Sequence, residues 1–233
     1  MTEPDFLSRT RTSYDTLSGY YAEWIRDELA AKPLDRALLS GFAELVQAAD
    51  LGPVADIGCG PGRISAHLHS LGLSVFGIDL SPQMIAIARR TYPHLRFEEG
   101  SMTALDLQDN SLGGIVAWYS IIHIPQEQLP EVLAEFHRVL APGGYLQLAF
   151  QVGDHLLHHA EAAGHQVSLD FHRRRPDHVA ELLRQAGLAV HAQFVREPEE
   201  AGKFKEKTPQ GFLLARKPTG TPTAAGTAQR HEA

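Results

Sequence analysis

The chain holds a single cysteine, Cys59, among 233 residues. It can form no intramolecular disulfide, which makes a reducing compartment the expectation. No apolar run is long enough to span a bilayer, and Met1–Thr12 is polar, without an apolar signal core. The expected protein is soluble and cytoplasmic, with no membrane partner. Positive charge is also in short supply. Lys and Arg number 21 against 28 Asp and Glu, for a formal net charge of -7. A protein that tracks phosphates carries a basic face, so this balance argues against nucleic acid as a partner. No internal repeat is visible. Histidine, by contrast, is plentiful at 13.

Strand and helix signals alternate along most of the chain, the pattern of a doubly wound α/β sheet. The first stretch, 1–49, reads as a helical cap integral to the domain, with Tyr14, Tyr20, Tyr21 and Trp24 ahead of any strand. Strands are expected near 54–57, 74–78, 95–98, 114–118 and 145–150, with helices between them. Ser81-Pro82 has the form of an N-cap followed by proline at the first helical position. Two late strands, 189–196 and 211–216, read as an antiparallel pair, giving a seven-stranded, mostly parallel sheet over 50–216. Between them, 197–209 reads as a polar loop. The connection 151–175 is long and polar. From Lys217 onward, Pro, Thr, Gly and Ala dominate, and 217–233 reads as a disordered tail.

Chemistry concentrates in Val54-Ala55-Asp56-Ile57-Gly58-Cys59-Gly60-Pro61-Gly62, with Asp79 lying 21 positions after the first glycine. An apolar strand running into a glycine turn, with a later acid at the end of the next strand, is how a parallel sheet cradles an adenosine-bearing cofactor. A dinucleotide site reads G-x-G-x-x-G. Here the spacing is G-x-G-x-G, and Arg63 stands where the last glycine would fall.

These residues resemble the first motif of the class I S-adenosylmethionine (SAM)-dependent methyltransferases, a family of Rossmann-like enzymes, here of the small-molecule type. Two further stretches extend the resemblance. Gly114–Pro125 is similar to the family's fourth strand and the loop beyond it. Phe136-His137-Arg138-Val139-Leu140-Ala141-Pro142-Gly143-Gly144 resembles its R-V-L-x-P-G-G stop before strand five. The resemblance implies SAM as cofactor and S-adenosylhomocysteine (SAH) as product. The glycine turn, Gly58, Cys59 and Gly60, and Asp56 would take the methionine end. Asp79 would take the ribose hydroxyls, with Leu80 and Met84 flanking the adenine. Gly100-Ser101-Met102 stands where the family often has Gly-Asp-Ala, so a serine replaces the acid that accepts from the adenine amino group. Trp118 would lie at the strand tip under the sulfonium.

Ser13–Tyr21 is similar to the family's Y-D-x-x-A-x-x-Y opening, which implies that Tyr14 reaches the cofactor and that Tyr20 or Tyr21 reaches the acceptor. Methyl transfer is an in-line displacement, and a base is needed only where the nucleophile must lose a proton. His123 is the best candidate base, its ordinary pKa suiting neutral pH, and Tyr20 is the second catalytic candidate. Tyr21, Trp24, Tyr119, His165 and Phe171 are candidates for the acceptor side. Their aromatic rings favour a small, flat acceptor and cation–π contact with the sulfonium. The family commonly builds a substrate lid in the region 151–175. Its five histidines come with no cysteine and no H-E-x-x-H, so no metal is expected. The partner is a small-molecule acceptor with an oxygen, nitrogen or carbon nucleophile, and the state a monomer or homodimer. A SAM-binding protein without turnover is the alternative. A nucleotide-dependent oxidoreductase is further off.

Overall fold

The computed structural model describes residues 4–220. The expected tail therefore falls outside the described residues from 221 on. Lys217 itself is fastened: its ammonium donates to the carbonyls of His137 and Leu140 and to Asn110 Oδ1 at 2.7–2.9 Å.

Three helices come first, α1 (Asp5–Ile25), α2 (Glu28–Ala31) and α3 (Pro33–Ala49). Then β1 (Val54–Ile57), α4 (Arg63–Ser70), β2 (Val75–Asp79), α5 (Pro82–Thr91) and β3 (Arg96–Glu99) build one half of the sheet. The other half holds β4 (Leu112–Trp118), a short 3-10 helix (Ile121–His123), α6 (Leu129–Val139) and β5 (Leu140–Gln151). A hairpin of β6 (Leu156–Ala162) and β7 (His165–His172) follows, then α7 (Pro176–Gln185), β8 (Ala189–Arg196) and β9 (Gln210–Arg216).

The seven-stranded sheet has the order β3-β2-β1-β4-β5-β9-β8. All neighbours are parallel except β9, antiparallel to both β5 and β8. This is a doubly wound, Rossmann-like architecture with an antiparallel C-terminal pair. The central strands are buried on both faces: every residue of β1 and β4 is buried. One apolar cluster, with Phe136, Leu140, Leu148 and Phe150 fully buried, fills the α6–α7 side. A second, with Leu39, Phe42, Val54 and Leu68, fills the α3–α4 side. Ser81 caps α5 as its sequence predicts, its Oγ accepting from Met84 N–H at 3.1 Å, with Pro82 first in the helix.

Two stretches differ from the sequence reading. The Pro142-Gly143-Gly144 segment is part of β5, as an irregularity in its pairing with β4, with Gly143 at φ +92°. The polar connection 151–175 folds as the β6–β7 hairpin, a separate two-stranded sheet. It packs against α1, where Ser13 Oγ accepts from Ser168 N–H at 2.9 Å.

Successive strands run from β1 outward to β3, then restart at β4 on the other flank of β1. Strand order reverses between β1 and β4. In open parallel sheets the crevice beyond the carboxyl ends at such a reversal receives the ligand.

Candidate active site

A cavity of about 920 Å³, its mouth included, occupies that crevice. The sheet supplies one wall, with Asp56, Gly58, Asp79 and Trp118 at strand ends, and α1 supplies the other, with Leu7, Tyr14 and Tyr21. Tyr14 and Tyr21 are seven residues apart and so project from one face of the helix.

The glycines of the turn have different reasons to be there. A β-carbon on Gly58 would lie 2.2 Å from Ser120 Cβ, and one on Gly62 would lie 2.7 Å from the Phe97 ring. Both are packing demands, at φ +75° and +86°. Gly60, at φ +54°, has only Tyr21 near it, at 4.0 Å, and opens toward the cavity. Gly58 N–H and Cys59 N–H both donate to the Ile78 carbonyl, at 2.7 and 3.1 Å, locking the turn to β2. Cys59 is buried, and burial pushes its thiol pKa well up.

Asp79 fixes the same turn from the other side. Its Oδ2 accepts from Gly60 N–H at 2.7 Å and its Oδ1 from Ser81 N–H at 2.8 Å. Burial raises its pKa to about 6 against the pull of those two donors. Asp56 is also raised by burial to about 6, although Ser65 Oγ donates to its Oδ2 at 2.6 Å.

Four buried polar atoms on cavity-lining residues have no partner: Asp56 Oδ1, Arg63 Nη1, Trp118 Nε1 and Tyr119 Oη. The first accepts, the next two donate, and the hydroxyl can do either. Burying such groups unpaired costs about 1–3 kcal/mol each. Their chemistry fits a ligand carrying both an ammonium and a carboxylate, as the methionine end of SAM does. Arg63 reached the site unannounced, since in sequence it counted only as a missing glycine. Its guanidinium is held by Glu28 at 2.5 Å.

On the adenine side, Leu80, Met84, Gly100, Ser101 and Met102 all line the cavity. The Ser101 hydroxyl is engaged locally with Thr103 Oγ1 at 2.8 Å.

Tyr119, just past β4, holds φ +55°, a strained value for a bulky residue. Its buried hydroxyl has no partner, and burial raises its pKa well above the ordinary phenol value. His123 is 8% exposed and meets residues of α1 and β7. Tyr14 Oη lies 2.7 Å from its Nε2, the Asp170 carbonyl oxygen 2.8 Å from its Nδ1, and the Phe171 ring 4.8 Å from its own. Burial lowers its pKa to about 4.

Not every expected residue meets the cavity. Tyr20 is 56% exposed, one helical step of 100° away from the face that carries Tyr21. Trp24 is exposed, its ring resting against Tyr21 and Phe204 rather than in the cavity wall. His165 is exposed at the start of β7. Phe171 backs His123 instead of lining the site. Sequence reasoning also passed over Phe6, Thr10, Arg11 and Ser120, which line the cavity; only the position of α1 over the sheet reveals the first three.

Residues 54–144 match a family model described as a methyltransferase domain. That segment, which carries the glycine turn and Asp79, is similar to a methyltransferase domain. A demethylmenaquinone methyltransferase of Chlorobaculum parvum is 38% identical over 92 residues, 39% of this chain and 37% of the relative. A malonyl-[acyl-carrier protein] O-methyltransferase of Pectobacterium atrosepticum is 34% identical over 97 residues, 41% of this chain and 37% of the relative. The chain thus matches little more than a third of the length of these curated relatives. The solved structure of the DhpI–SAH complex superposes with a TM-score of 0.69 at 18% identity, covering 93% of this chain and 99% of that one. At that identity the likeness is one of fold. Among the described residues no helix is long and apolar enough to cross a membrane, and no group of three His, Cys, Asp or Glu is placed to hold a metal ion.

Proposed function

We propose that this methyltransferase domain chain moves the methyl group of SAM to a nucleophile of a small, aromatic metabolite. The observation that carries the reading is the trio of partnerless atoms, Asp56 Oδ1, Arg63 Nη1 and Trp118 Nε1, around a glycine turn that Asp79 holds. A carboxylate oxygen left without a donor suits an ammonium, and a guanidinium nitrogen left without an acceptor suits a carboxylate. Bound there, SAM supplies a methyl group already activated on sulfur. The protein's part is to orient the donor, exclude water and present the nucleophile in line.

Asp56 takes the ammonium, Arg63 the carboxylate, and Asp79 the ribose hydroxyls with lone pairs its two backbone donors leave free. Leu80, Met84 and Met102 flank the adenine. Tyr14, Tyr21, Trp118 and Tyr119 enclose the reacting end in aromatic surface, which suits a flat acceptor. Residues 1–49 act as a cap and 151–175 as a lid beside His123. The chain works as a cytoplasmic monomer or homodimer without nucleic acid.

The test is mass spectrometry after incubation with methyl-deuterated SAM and a panel of phenols, indoles, amines and carboxylic acids. The expected result is one deuteromethylated class of product, absent with Asp79→Ala. A protein that binds SAM yet labels nothing in the panel would overturn the reading in favour of a non-catalytic SAM binder.

A further inference from the structure

The bonds to His123 settle its tautomer. The Asp170 carbonyl can only accept, so Nδ1 carries the proton and donates at 2.8 Å. Nε2 is then the bare nitrogen, and the Tyr14 hydroxyl donates to it at 2.7 Å. The basic atom of the histidine is thereby already covered by a phenol. Tyr14 Oη, having given its own proton, keeps its lone pairs, and Tyr14 lines the large cavity. The pair is held from three directions. Phe171 packs on the His123 ring, Tyr21 meets the Tyr14 ring edge-on at 5.5 Å, and the hairpin carrying Asp170 is tied to α1 through Ser13 and Ser168.

We propose that Tyr14 is the catalytic residue that meets the methyl acceptor, with His123 behind it as a positioning residue that receives the proton, so that the acceptor is a hydroxyl or N–H group. This rests on the methyltransferase reading above. The step balances. The acceptor's O–CH₃ or N–CH₃ bond forms as the C–S bond breaks, and its electron pair stays on sulfur. The acceptor's proton passes to Tyr14 Oη while the Tyr14 proton passes to His123 Nε2. One positive charge is lost at the sulfonium and one gained at the imidazolium, so the buried site carries the same total charge throughout.

The surroundings fit this sequence of events. Both groups start neutral. Burial raises the Tyr14 phenol pKa, aided by Tyr21 and Asp79. Burial lowers that of His123, with His172 and Arg174 adding to the effect and Asp170 opposing it. A neutral imidazole close to neutral phenol does nothing until a proton is released beside it. His123 also lines a second cavity, with Arg9, Glu127, Asp170 and His172, and this gives the proton a charged surface to leave by.

The test uses the full chain labelled with ¹⁵N-histidine and saturated with SAH. The His123 signals are those missing from His123→Gln. They are expected to report a neutral ring protonated on Nδ1 between about pH 5.5 and 8, with Tyr14→Phe moving only the Nε2 signal toward its unbonded position. In turnover on phenols, alcohols and amines, Tyr14→Phe and His123→Gln should each lower kcat by about 10²–10⁴-fold, with SAH affinity changed less than about twofold. Added imidazole should restore His123→Gly but not Tyr14→Phe. A proton on Nε2, or an undiminished rate in Tyr14→Phe, would overturn the relay and leave the methyltransferase reading standing. Methyl transfer confined to carboxylates or ring carbons would do the same. No labelled product from any acceptor would overturn the methyltransferase reading, and the relay with it.

Discussion

At position 58 an added β-carbon collides with Ser120, whereas at position 60 it meets nothing closer than 4.0 Å. The two glycines of one motif therefore answer to different forces. Gly58→Ala is expected to cost about 2–4 kcal/mol, the sum of a positive-φ penalty and overpacking. Gly60→Ala should cost about 1–2 kcal/mol in stability and show itself mainly as weakened SAH binding. Thermal melts and calorimetric titration with SAH separate the two.

The carboxylates Asp56 and Asp79 make the second residue-scale prediction. Their pKa values, near 6 in the folded protein, lie above the ordinary 3.8. The folded state thus holds more protons than the unfolded one between those limits, and this contribution to stability grows as pH falls through about 6. A ligand ammonium needs Asp56 ionised, so binding runs the other way: SAH affinity should fall as pH drops below about 6. Asp56→Asn should flatten that pH profile. Titration calorimetry across the range, with denaturant unfolding of the ligand-free protein, checks both signs.

Much of this was legible at the level of single residues, because Asp56, Gly60 and Asp79 sit at strand ends that the apolar pattern marks. Arg63 was not, since nothing in sequence says that its guanidinium turns back toward the turn. The choice between Tyr20 and Tyr21 was likewise hidden: neighbouring residues point 100° apart on a helix, and sequence alone does not say which face docks.

Among the elements, the hairpin is the one that sequence withheld. The residues of β6 are exposed along most of its length, so no alternation of apolar and polar residues announces it. Its place comes from tertiary bonds to α1 and from Arg174, which follows it. Arg174 is 2% exposed, and the oxygens its guanidinium bonds to carry no charge. Its guanidinium donates to the carbonyls of Ile121 and Ile124 and to Gln126 Oε1, bracketing the 3-10 helix that bears His123. Burial alone pulls its pKa down to about 10. A lysine keeps the charge but lacks the planar fork. Arg174→Lys should cost about 2–3 kcal/mol and speed amide exchange at Ile121–Ile124, as hydrogen-exchange mass spectrometry would register.

At the scale of the whole molecule, an ionic cluster, buried at Lys32, Asp35 and Arg196, ties the start of α3 to the end of β8 and the loop after it. Lys32, 1% exposed, meets Glu199 at 2.9 Å and Glu206 at 3.0 Å. Arg196 meets Glu206 at 2.7 Å and Asp35 at 3.3 Å. Removing one member of such a set strands the others. Lys32→Met is expected to lower stability by about 3–5 kcal/mol, read from urea unfolding, with SAH affinity in the folded fraction unchanged. Partners separated by well over a hundred residues leave no local signature, which is why the alternating strand-and-helix pattern was readable and this clasp was not.

Helix α1 has one more consequence. It walls the cavity with Leu7, Tyr14 and Tyr21 while lying outside the sheet, so the ligand fills the seam between the two. A molecule bound there acts as mortar, and every free-energy increment of its binding is an increment against peeling α1 away. By the same linkage, a variant whose α1 peels away more readily should bind the ligand more weakly and lose the thermal stabilisation that the ligand confers.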